Sequence, residues 1–488
     1  MYFKSKYNTL GKWNIKLSCL ILLTSFLSLI SCKKFTQVGP PATSISSANV
    51  YSTDATAAAV LTGIYSTLSG GSFNGGSILS TELFAGLSAD EIALYSSLNV
   101  TYTQYYTNTL NNQTLNLWSY YYSTIYVANS AIAGLSSSNT LTPAVKQQLL
   151  GEAYFIRAFC YFYLVNLYGD VPLVISTNYT INDDLGRAAK SEVYTQIIND
   201  LQIAQNKLSA NYLDGTLLNT TGDRVRPTKW AAAALLARVY LYNNDAKDAF
   251  NESSLVINNS SLFGLTTLNN TFLANSNEAI WQLQPIIPGQ NTQEAVQYVL
   301  PPSGPDDITY YFYLNKDLIN SFEPGDQRKA NWTDSVTLNV NGSPVTYYYA
   351  YKYKVFVAGS PVTEYEMILR LGEQFLIRAE AQADGYGSGI PGALQDLNSI
   401  RNRAGLLNYS GANDKTSLLN AILHERQVEL FTEWGHRWLD LKRTANINSV
   451  MSVVSPKKGG VWNSTKQLYP IPLADIQSDP FLVQNPGY

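Results

Sequence analysis

The sequence predicts a mostly α-helical protein that carries one long, loop-rich insertion. Apolar residues recur at helical spacing in many segments between residues 51 and 434. The stretch 258–362 lacks that spacing and is rich in Asn, Gly, Pro and Tyr. Hydrophobic residues make up 45% of the 488 positions, which is enough for a sizeable core and argues against a disordered chain.

The predicted helices are amphipathic and follow one another closely. In the segment 149–168, Ala153, Ile156, Cys160 and Leu164 recur every three or four residues and therefore share one face. The segment 228–243 follows a proline and is rich in alanine, which lets neighbouring helices approach closely. The predicted helices are 51–68, 113–136, 149–168, 189–208, 228–243, 245–257, 366–385, 391–404 and 415–434.

Pairs of helices of this size, joined by short turns, are typical of tetratricopeptide-like repeats. The pairs carry Ala and Tyr at close-packing positions, although none shows the complete repeat signature. Within the insertion, the alternating runs 279–283 and 345–349 predict short strands. Trp281 lies in the first run and is expected in the core, whereas Trp332 lies in a polar stretch and is a weaker candidate for ligand contact.

Residues 1–31 are predicted to be a lipoprotein signal peptide. Four lysines precede an apolar run at 17–30, which is shorter than the about 20 residues needed to span a membrane. Cys32 follows a small residue, with a leucine three positions before it, and is therefore the expected lipidation site; an ordinary signal peptide with a chance cysteine is the alternative. Residues 32–49 would then form a lipidated tether.

Composition excludes several functional classes. The formal net charge of −3 argues against nucleic-acid binding. His424 and His436 match no metal-binding motif, and the chain has neither a nucleophile elbow nor a phosphate-binding loop, so we expect no catalytic residue, no metal ligand set and no cofactor. The sequence does not decide whether a structural divalent cation is bound. Cys160 is the cysteine left free after leader cleavage and acylation of Cys32, and it is expected to be buried. Asp90 and Glu91 fit a structural cap better than a ligand or cation contact.

Aromatic side chains outside helices are the best candidates for ligand contact. Sugar rings present faces of C–H bonds that pack on Tyr or Trp, while amide groups meet the hydroxyls. The alternative is that these tyrosines only pack loops against the helices. One cluster comprises Tyr95, Tyr102, Tyr105 and Tyr106, interleaved with Asn99, Gln104 and Asn108, and a second comprises Tyr310, Tyr311 and Tyr313 after Asp306 and Asp307.

Several segments together resemble the SusD/RagB family of surface lipoproteins. They occur in the family's order from the leader to the last residue, which makes the combination specific although each is modest alone. The matching segments are SCKKF at 31–35, GEAYFIRAFCYFYLVNLYGDVPLV at 151–174, RPTKWAAAALLARVYLY at 226–242, RLGEQFLIRAEA at 370–381 with LNSIRNRAGL at 397–406, ERQVELFTEWGHRWLDLKR at 425–443, and YPIPLADIQSDPFLVQNPGY at 469–488.

The resemblance implies a single unit over 50–488, with about four tetratricopeptide-like helix pairs supporting a variable face. It also implies a non-catalytic protein, lipid-anchored at the outer membrane and exposed on the cell surface. Such a protein would bind glycan and deliver it to a SusC-like TonB-dependent transporter. Peptide cargo, a lipid-anchored hydrolase and a scaffold that binds only protein are the alternatives. A structural role is expected for the charged residues Glu152, Arg157, Glu380, Arg401, Glu425, Arg426, Glu429 and Arg437.

Overall fold

The computed structural model describes residues 47–71 and 76–488. Cys32 and most of the predicted tether therefore lie outside the described residues. Val50–Tyr488 form one compact unit. Helices dominate this unit, as the sequence predicts.

The helices are numbered here in chain order. They are α1 (Ser47–Val50), α2 (Asp54–Gly70), α3 (Ser80–Ser88), α4 (Val100–Tyr106), α5 (Trp118–Ser137), α6 (Pro143–Tyr168), α7 (Tyr179–Asn182), α8 (Lys190–Lys207), α9 (Lys229–Tyr242), α10 (Ala246–Ile257), α11 (Gln293–Tyr298), α12 (Lys316–Ser321), α13 (Gln327–Asn331), α14 (Leu371–Ala383), α15 (Ile390–Arg403), α16 (Lys415–Glu429), α17 (His436–Arg443), α18 (Ile447–Lys457) and α19 (Leu473–Ser478).

Short strands pair in antiparallel fashion. They are β1 (Ile92–Leu94), β2 (Val171–Pro172), β3 (Arg187–Ala188), β4 (Ala279–Leu283), β5 (Phe312–Leu314), β6 (Thr333–Val340), β7 (Ser343–Ala350) and β8 (Glu366–Arg370). The pairs are β1 with β5, β2 with β3, β4 with β8, and β6 with β7. Two of these pairs join the insertion to segments outside it, because β1 precedes it and β8 follows it.

The long helices pack as four pairs, α5 with α6, α8 with α9, α10 with α14, and α15 with α16. Contacts of α6 with α8, α9 with α10, and α14 with α15 join successive pairs into one stack. The loop-rich insertion lies between α10 and α14, which are the two helices of the third pair. The fold can therefore hold a long excursion without interrupting the stack.

Helix α6 is the longest helix of the stack and is largely buried. Pro143 stands in its first turn, where a missing N–H costs no helical hydrogen bond. Gly169 ends it with φ of +79°, and a Cβ there would lie 3.1 Å from the side chain of Leu468. Cys160 is buried, as expected, and burial raises the pKa of its thiol.

Buried ion pairs tie these elements together and confirm the structural role expected for the charged residues. An isolated buried charge is costly, so each must be paired. Arg370 illustrates this, since its guanidinium contacts Glu429 at 2.6 Å and Glu433 at 2.6 Å. The other pairs are Arg226 with Glu152, Arg157 with Asp200, Arg443 with Glu380, Arg401 with Glu425 and Glu323, Arg426 with Asp440, and Arg437 with Asp90.

Four predicted helices differ from the structure by several residues at one end. Helix α5 begins at Trp118 instead of residue 113, and α6 begins at Pro143 instead of residue 149. The segment expected as 366–385 begins as strand β8, and helix α14 starts only at Leu371. Pairing with β4 in a fully buried position overrides the helical pattern there. Helix α16 ends at Glu429 rather than near 434, because Thr432 and Trp434 adopt positive φ values of 52° and 47°.

Three single-residue expectations are now decided. Trp281 lies in the core, as predicted. Trp332 is also fully buried, with its indole N–H donating to the Leu268 carbonyl, so the suggestion of ligand contact there is wrong. Asp90 is structural, but it serves in a two-bond ion pair with Arg437 rather than as a helix cap.

Candidate functional site

Strand pairing brings tyrosines from distant segments together. Strand β1 pairs with β5 in a register that places Ala93 opposite Tyr313. The N–H of Tyr95 donates to the Tyr311 carbonyl at 2.8 Å, which extends the pairing one residue beyond β1. Strand β7 lies beside β5, so the ring of Tyr347 reaches Tyr313 with a centroid distance of 5.2 Å.

Four partly exposed rings form what we call the aromatic face, namely Tyr95, Tyr106, Tyr313 and Tyr347. Tyr347 lies at its centre, meeting Tyr95 edge to face at 5.8 Å and Tyr313 at nearly a right angle. Tyr106 packs against the main core, and it lies near enough to Tyr313 for that group to raise the pKa of its hydroxyl. Tyr95 is the most open of the four, with 43% of its surface exposed.

Period-two alternation explains which rings of β7 reach this face. Tyr347 and Tyr349 lie with Val299 and Leu300 in a small cluster, whereas Tyr348 between them packs against the main core, because successive side chains of a strand point to opposite faces. Tyr310 and Tyr313 also pack against the small cluster. Tyr311, which precedes β5, packs against the main core, and alternation does not explain that difference.

The aromatic face is polar but uncharged near neutral pH. Burial and the neighbouring Tyr313 raise the pKa of Tyr106 to about 12. Burial likewise raises the pKa of Tyr313 and of Tyr347, with smaller contributions from the adjoining tyrosines. The hydroxyls therefore keep their protons and can both donate and accept hydrogen bonds.

One side of Tyr106 is already occupied. The Lys458 ammonium lies 4.9 Å from the centre of that ring and donates to the carbonyls of Leu87 and Ala89. Burial lowers the pKa of Lys458 to about 7. Tyr106 therefore has a smaller free surface for a ligand than Tyr95 has.

The side chain of Asp306 holds the loop before β5 in place through hydrogen bonds to backbone N–H groups. The Asp306 carboxylate accepts from the N–H groups of Ile308, Thr309 and Tyr310 at 2.8, 2.6 and 3.1 Å. These hydrogen bonds, the one from Thr309 first, lower the pKa of Asp306. Asp306 therefore shapes the loop, which presents Ile308 to solvent.

Tyr102 and Tyr105 were expected in a loop but lie in helix α4 and are buried. Tyr105 stacks on Phe84 with centroids 4.2 Å apart and donates its hydroxyl to the Leu115 carbonyl. Tyr102 packs against Tyr311 and Phe312. Their ring faces are covered by protein, so the structure removes both from the set of possible stacking platforms.

The polar residues of the first cluster mainly support the fold. Asn99 caps α4 by accepting from the Tyr102 N–H at 3.1 Å. Gln104 accepts from the Thr114 hydroxyl at 2.8 Å. Asn108 is buried, with its amide bonded to Ser88 and Ser455. Hydrogen bonds to a ligand at this face would therefore come chiefly from the tyrosines.

Tyr347 was not among the expected ligand contacts. The run Tyr347-Tyr348-Tyr349 is visible in the sequence, and its strand alternation predicts that the first and third share a face. Nothing in the sequence indicates that β7 would pack beside β5. Its place at the centre of the aromatic face is a tertiary effect.

A separate groove of about 490 Å³ lies between α2 and α5. Its walls include Val60, Ile64, Leu68, Tyr120 and Val127, so it is mostly apolar. None of the tyrosines expected to bind ligand lines it. A groove of this character offers few partners for sugar hydroxyls.

The carboxylates that could hold a metal ion are Glu82, Glu294 and Glu366, and they are buried rather than placed among the four rings.

Throughout residues 47–71 and 76–488, no helix is both long enough and apolar enough to cross a bilayer.

Two family models match the chain. One, described as "Starch-binding associating with outer membrane", matches residues 41–241, and the other, described as "SusD family", matches residues 306–488. A SusD-like protein P2 of Formosa agariphila is 27% identical, over 97% of this chain and 99% of the relative.

Solved structures of other proteins have the same fold. A SusD superfamily protein from Bacteroides vulgatus superposes with a TM-score of 0.76 at 20% identity, covering 89% of this chain and 99% of that one. A laminarin-binding SusD-like protein gives a TM-score of 0.70 at 24% identity, covering 88% and 99%. At these identities the likeness shows the fold. The two family models, which together cover residues 41–241 and 306–488, are the basis on which the chain is assigned to the SusD/RagB family.

Proposed function

We propose that this protein binds oligosaccharide on the aromatic face and passes it to a TonB-dependent transporter in the outer membrane. The observation that carries the proposal is the convergence of Tyr95, Tyr106, Tyr313 and Tyr347 from separate segments onto one partly exposed face. Rings that served only the core would be covered by protein, as Tyr105 is.

The chemistry of the face suits a neutral sugar. The C–H face of a pyranose packs on a tyrosine ring, and contacts with aromatic rings contribute about 0.5–1.5 kcal/mol each beyond area burial. Tyrosine hydroxyls that stay protonated can donate to and accept from sugar hydroxyls. A peptide would instead require backbone pairing along an open strand edge or pockets for its side chains.

The comparisons support the ligand class. One protein of the same fold is a laminarin-binding SusD-like protein, and the family model over residues 41–241 is described by starch binding. Glycan is therefore the favoured cargo, and laminarin is a rational first ligand to test. Family membership also favours a binding role over catalysis.

Localisation and partner follow from the leader and the family. Cys32, after a lipoprotein-type leader, would anchor the chain in the outer membrane on the cell surface. A SusC-like TonB-dependent transporter would then be the partner that receives the glycan.

Calorimetric titration of residues 33–488 tests the ligand class. The panel comprises laminarin, starch, fructan, xylan, mannan and pectin oligosaccharides, host-type glycans and a set of oligopeptides. We expect saturable heat with at least one glycan and no new reducing ends after incubation. Binding of peptides alone would replace glycan as the cargo, and released reducing ends would indicate a hydrolase.

A second experiment tests the partner. Detergent-solubilised outer membranes are passed over affinity-tagged full-length chain, and the retained proteins are identified by mass spectrometry. We expect a TonB-dependent barrel protein in stoichiometric amount. Its absence, when glycan binding is intact, would contradict the transport role while leaving the binding role in place.

A further inference from the structure

Three glutamates from separate parts of the chain meet in the interior. Glu82 lies on α3, Glu294 on α11 and Glu366 at the start of β8. One carboxylate oxygen of each lies within 4.8 Å of those of the other two. All three are buried, with 3%, 4% and 5% of their surfaces exposed.

Nearby cations do not neutralise this cluster. The Lys352 ammonium donates to the carbonyls of Glu429 and Phe431 and to the Glu433 carboxylate. Arg370 is committed to Glu429 and Glu433. Among the residues that the structure describes, no lysine, arginine or histidine forms an ion pair with any of the three glutamates.

In two of the carboxylates, one oxygen also lacks a hydrogen-bond partner within the described residues. Glu82 Oε1 and Glu366 Oε2 are buried and, within the described part of the chain, accept no hydrogen bond. The Tyr298 hydroxyl also interacts with the Glu82 side chain. A buried carboxylate oxygen without a partner is costly, and here two of them belong to side chains that converge on one another.

We propose that Glu82, Glu294 and Glu366 form a binding site for a hard divalent cation, with Ca²⁺ as the best-fitting ion. Ca²⁺ takes oxygen ligands at 2.3–2.6 Å, so ligand oxygens around it lie up to about 5 Å apart, as these do. Three carboxylates also supply the negative charge that the ion needs in a site with little water. Mg²⁺ fits less well, because it holds its own waters and demands regular octahedral geometry.

A cation at this point would join three elements of the fold. It would fasten the insertion, through α11, to α3 on one side and to β8 on the other. Helix α11 leads directly into Val299 and Leu300, which pack beneath Tyr313 and Tyr347. The ion would therefore brace the underside of the aromatic face, although the site itself does not depend on what that face binds.

Protons are the competing occupants of the cluster. Burial and the negative charge of Glu366 hold the pKa of Glu82 well above its usual range, and burial together with Glu433 raises the pKa of Glu366 to about 8. The other titratable or charged groups that face the cluster are Tyr298, Glu91, Glu433 and Lys352. A carboxylate must lose its proton before it can bind a cation, so binding is measured at pH 8.

The test uses the full chain, purified in detergent and stripped with EDTA. Tb³⁺ luminescence and calcium analysis after dialysis against CaCl₂ at pH 8 measure binding, and calorimetric melting measures stability. We expect one equivalent of Ca²⁺ and a rise in Tm that EDTA reverses. Glu82→Gln, Glu294→Gln and Glu366→Gln should each weaken Tb³⁺ binding by about tenfold or more.

The control variant is Asp183→Asn, which removes a solvent-exposed carboxylate and should leave one equivalent bound. Binding that survives in all three glutamine variants would place the ion elsewhere and overturn the proposal. So would a wild-type chain that takes up no Ca²⁺ at pH 8. If a variant fails to fold by circular dichroism, the calcium content and EDTA response of the wild type decide the question.

Discussion

The ring of Tyr95 meets the ring of Tyr347 edge to face, with centroids 5.8 Å apart and planes inclined at 73°. Tyr95 directly follows β1 near the start of the helical stack, whereas Tyr347 lies on β7 within the insertion. The aromatic face therefore exists only because the β6–β7 hairpin packs against the β1–β5 pair. Ligand binding at this face should depend on that packing as well as on the rings themselves.

Substituting the exposed rings tests the face directly. Tyr95→Ala and Tyr347→Ala should each weaken glycan binding by about tenfold, since a lost stacking contact costs roughly 1 kcal/mol or more. A variant lacking Tyr95, Tyr313 and Tyr347 should show no measurable binding. Calorimetric titration gives the affinities, and circular dichroism shows whether the fold is retained.

Tyr126→Ala is the matched control, because Tyr126 is an exposed tyrosine on α5. Its affinity for glycan should equal that of the wild type. If the control weakens binding as much as the substitutions at the face do, the ligand lies over α5 and the assignment is wrong.

Tyr105→Ala should act through stability and not through ligand contact. Its ring is buried against Phe84, so truncation leaves a cavity and should cost about 3–5 kcal/mol in the free energy of unfolding. Urea unfolding measures the loss. Below its transition, the folded variant should bind glycan with nearly wild-type affinity; a selective loss of affinity would restore Tyr105 as a contact residue.

Glu429→Gln should be among the most destabilising polar substitutions. Its carboxylate is shared by Arg328, Arg370 and Arg403, so removal leaves buried guanidinium groups short of negative charge and should cost about 3–5 kcal/mol. Asp384→Asn, at the exposed pair with Lys415, should cost under about 1 kcal/mol by the same urea assay.

The contribution of Glu429 to the free energy of unfolding should depend on pH with a definite sign. Burial alone would raise the pKa of Glu429, but the charges of Arg403, Arg370 and Arg328 prevail and lower it. The stabilising contribution is therefore complete above the unfolded-state pKa near 4.5 and declines as the pH falls below it. A stability difference between wild type and Glu429→Gln that grows on acidification would contradict this.

Substituting Cys32 tests the anchor. Cys32→Ser removes the thiol that would be acylated, so the chain should move from the membrane pellet to the soluble fraction. Cys160→Ser is the control, because that buried thiol has no part in anchoring and the protein should stay in the pellet. Membrane retention of the Cys32 variant would refute lipid anchoring at this residue.

The sequence predicts the helices well because their apolar faces repeat at short range. Most predicted bounds agree with the structure within a few residues, as at Lys190–Lys207 and Lys229–Tyr242. The failure at residues 366–370 has a long-range cause, since pairing with a strand more than eighty positions earlier makes that segment extended. Local periodicity contains no information about such a partner.

The aromatic face was only partly predictable for the same reason. Composition identifies the tyrosine-rich segments, and Tyr95, Tyr106 and Tyr313 do reach the face. Tyr102 and Tyr105 lie in the same short helix as Tyr106, but their rings are buried against Phe312 and Phe84 respectively. Tyr347 joins through a contact between two strand pairs that the sequence does not reveal.

The glutamate cluster should give the unliganded protein an unusual response to pH. The folded-state pKa of Glu366 is raised to about 8, against an unfolded value near 4.5, so the folded state binds the proton more tightly than the unfolded state does. Stability from this group is therefore complete below pH 4.5 and is lost as the pH rises through 8. Burial also lowers the pKa of His436, Lys442 and Lys458. The contribution of Glu366 to stability must therefore be measured by comparing two proteins that both contain these three residues.

Glu366→Gln provides that comparison, because an amide imitates the protonated acid at every pH. In EDTA, the variant should match the wild type near pH 5 and exceed its free energy of unfolding near pH 8, by on the order of 3 kcal/mol. Adding Ca²⁺ at pH 8 should stabilise the wild type and leave the variant almost unchanged, which reverses the order of the two proteins. Parallel pH profiles of the two proteins in EDTA would mean that Glu366 ionises normally in the folded state, which would contradict the raised pKa.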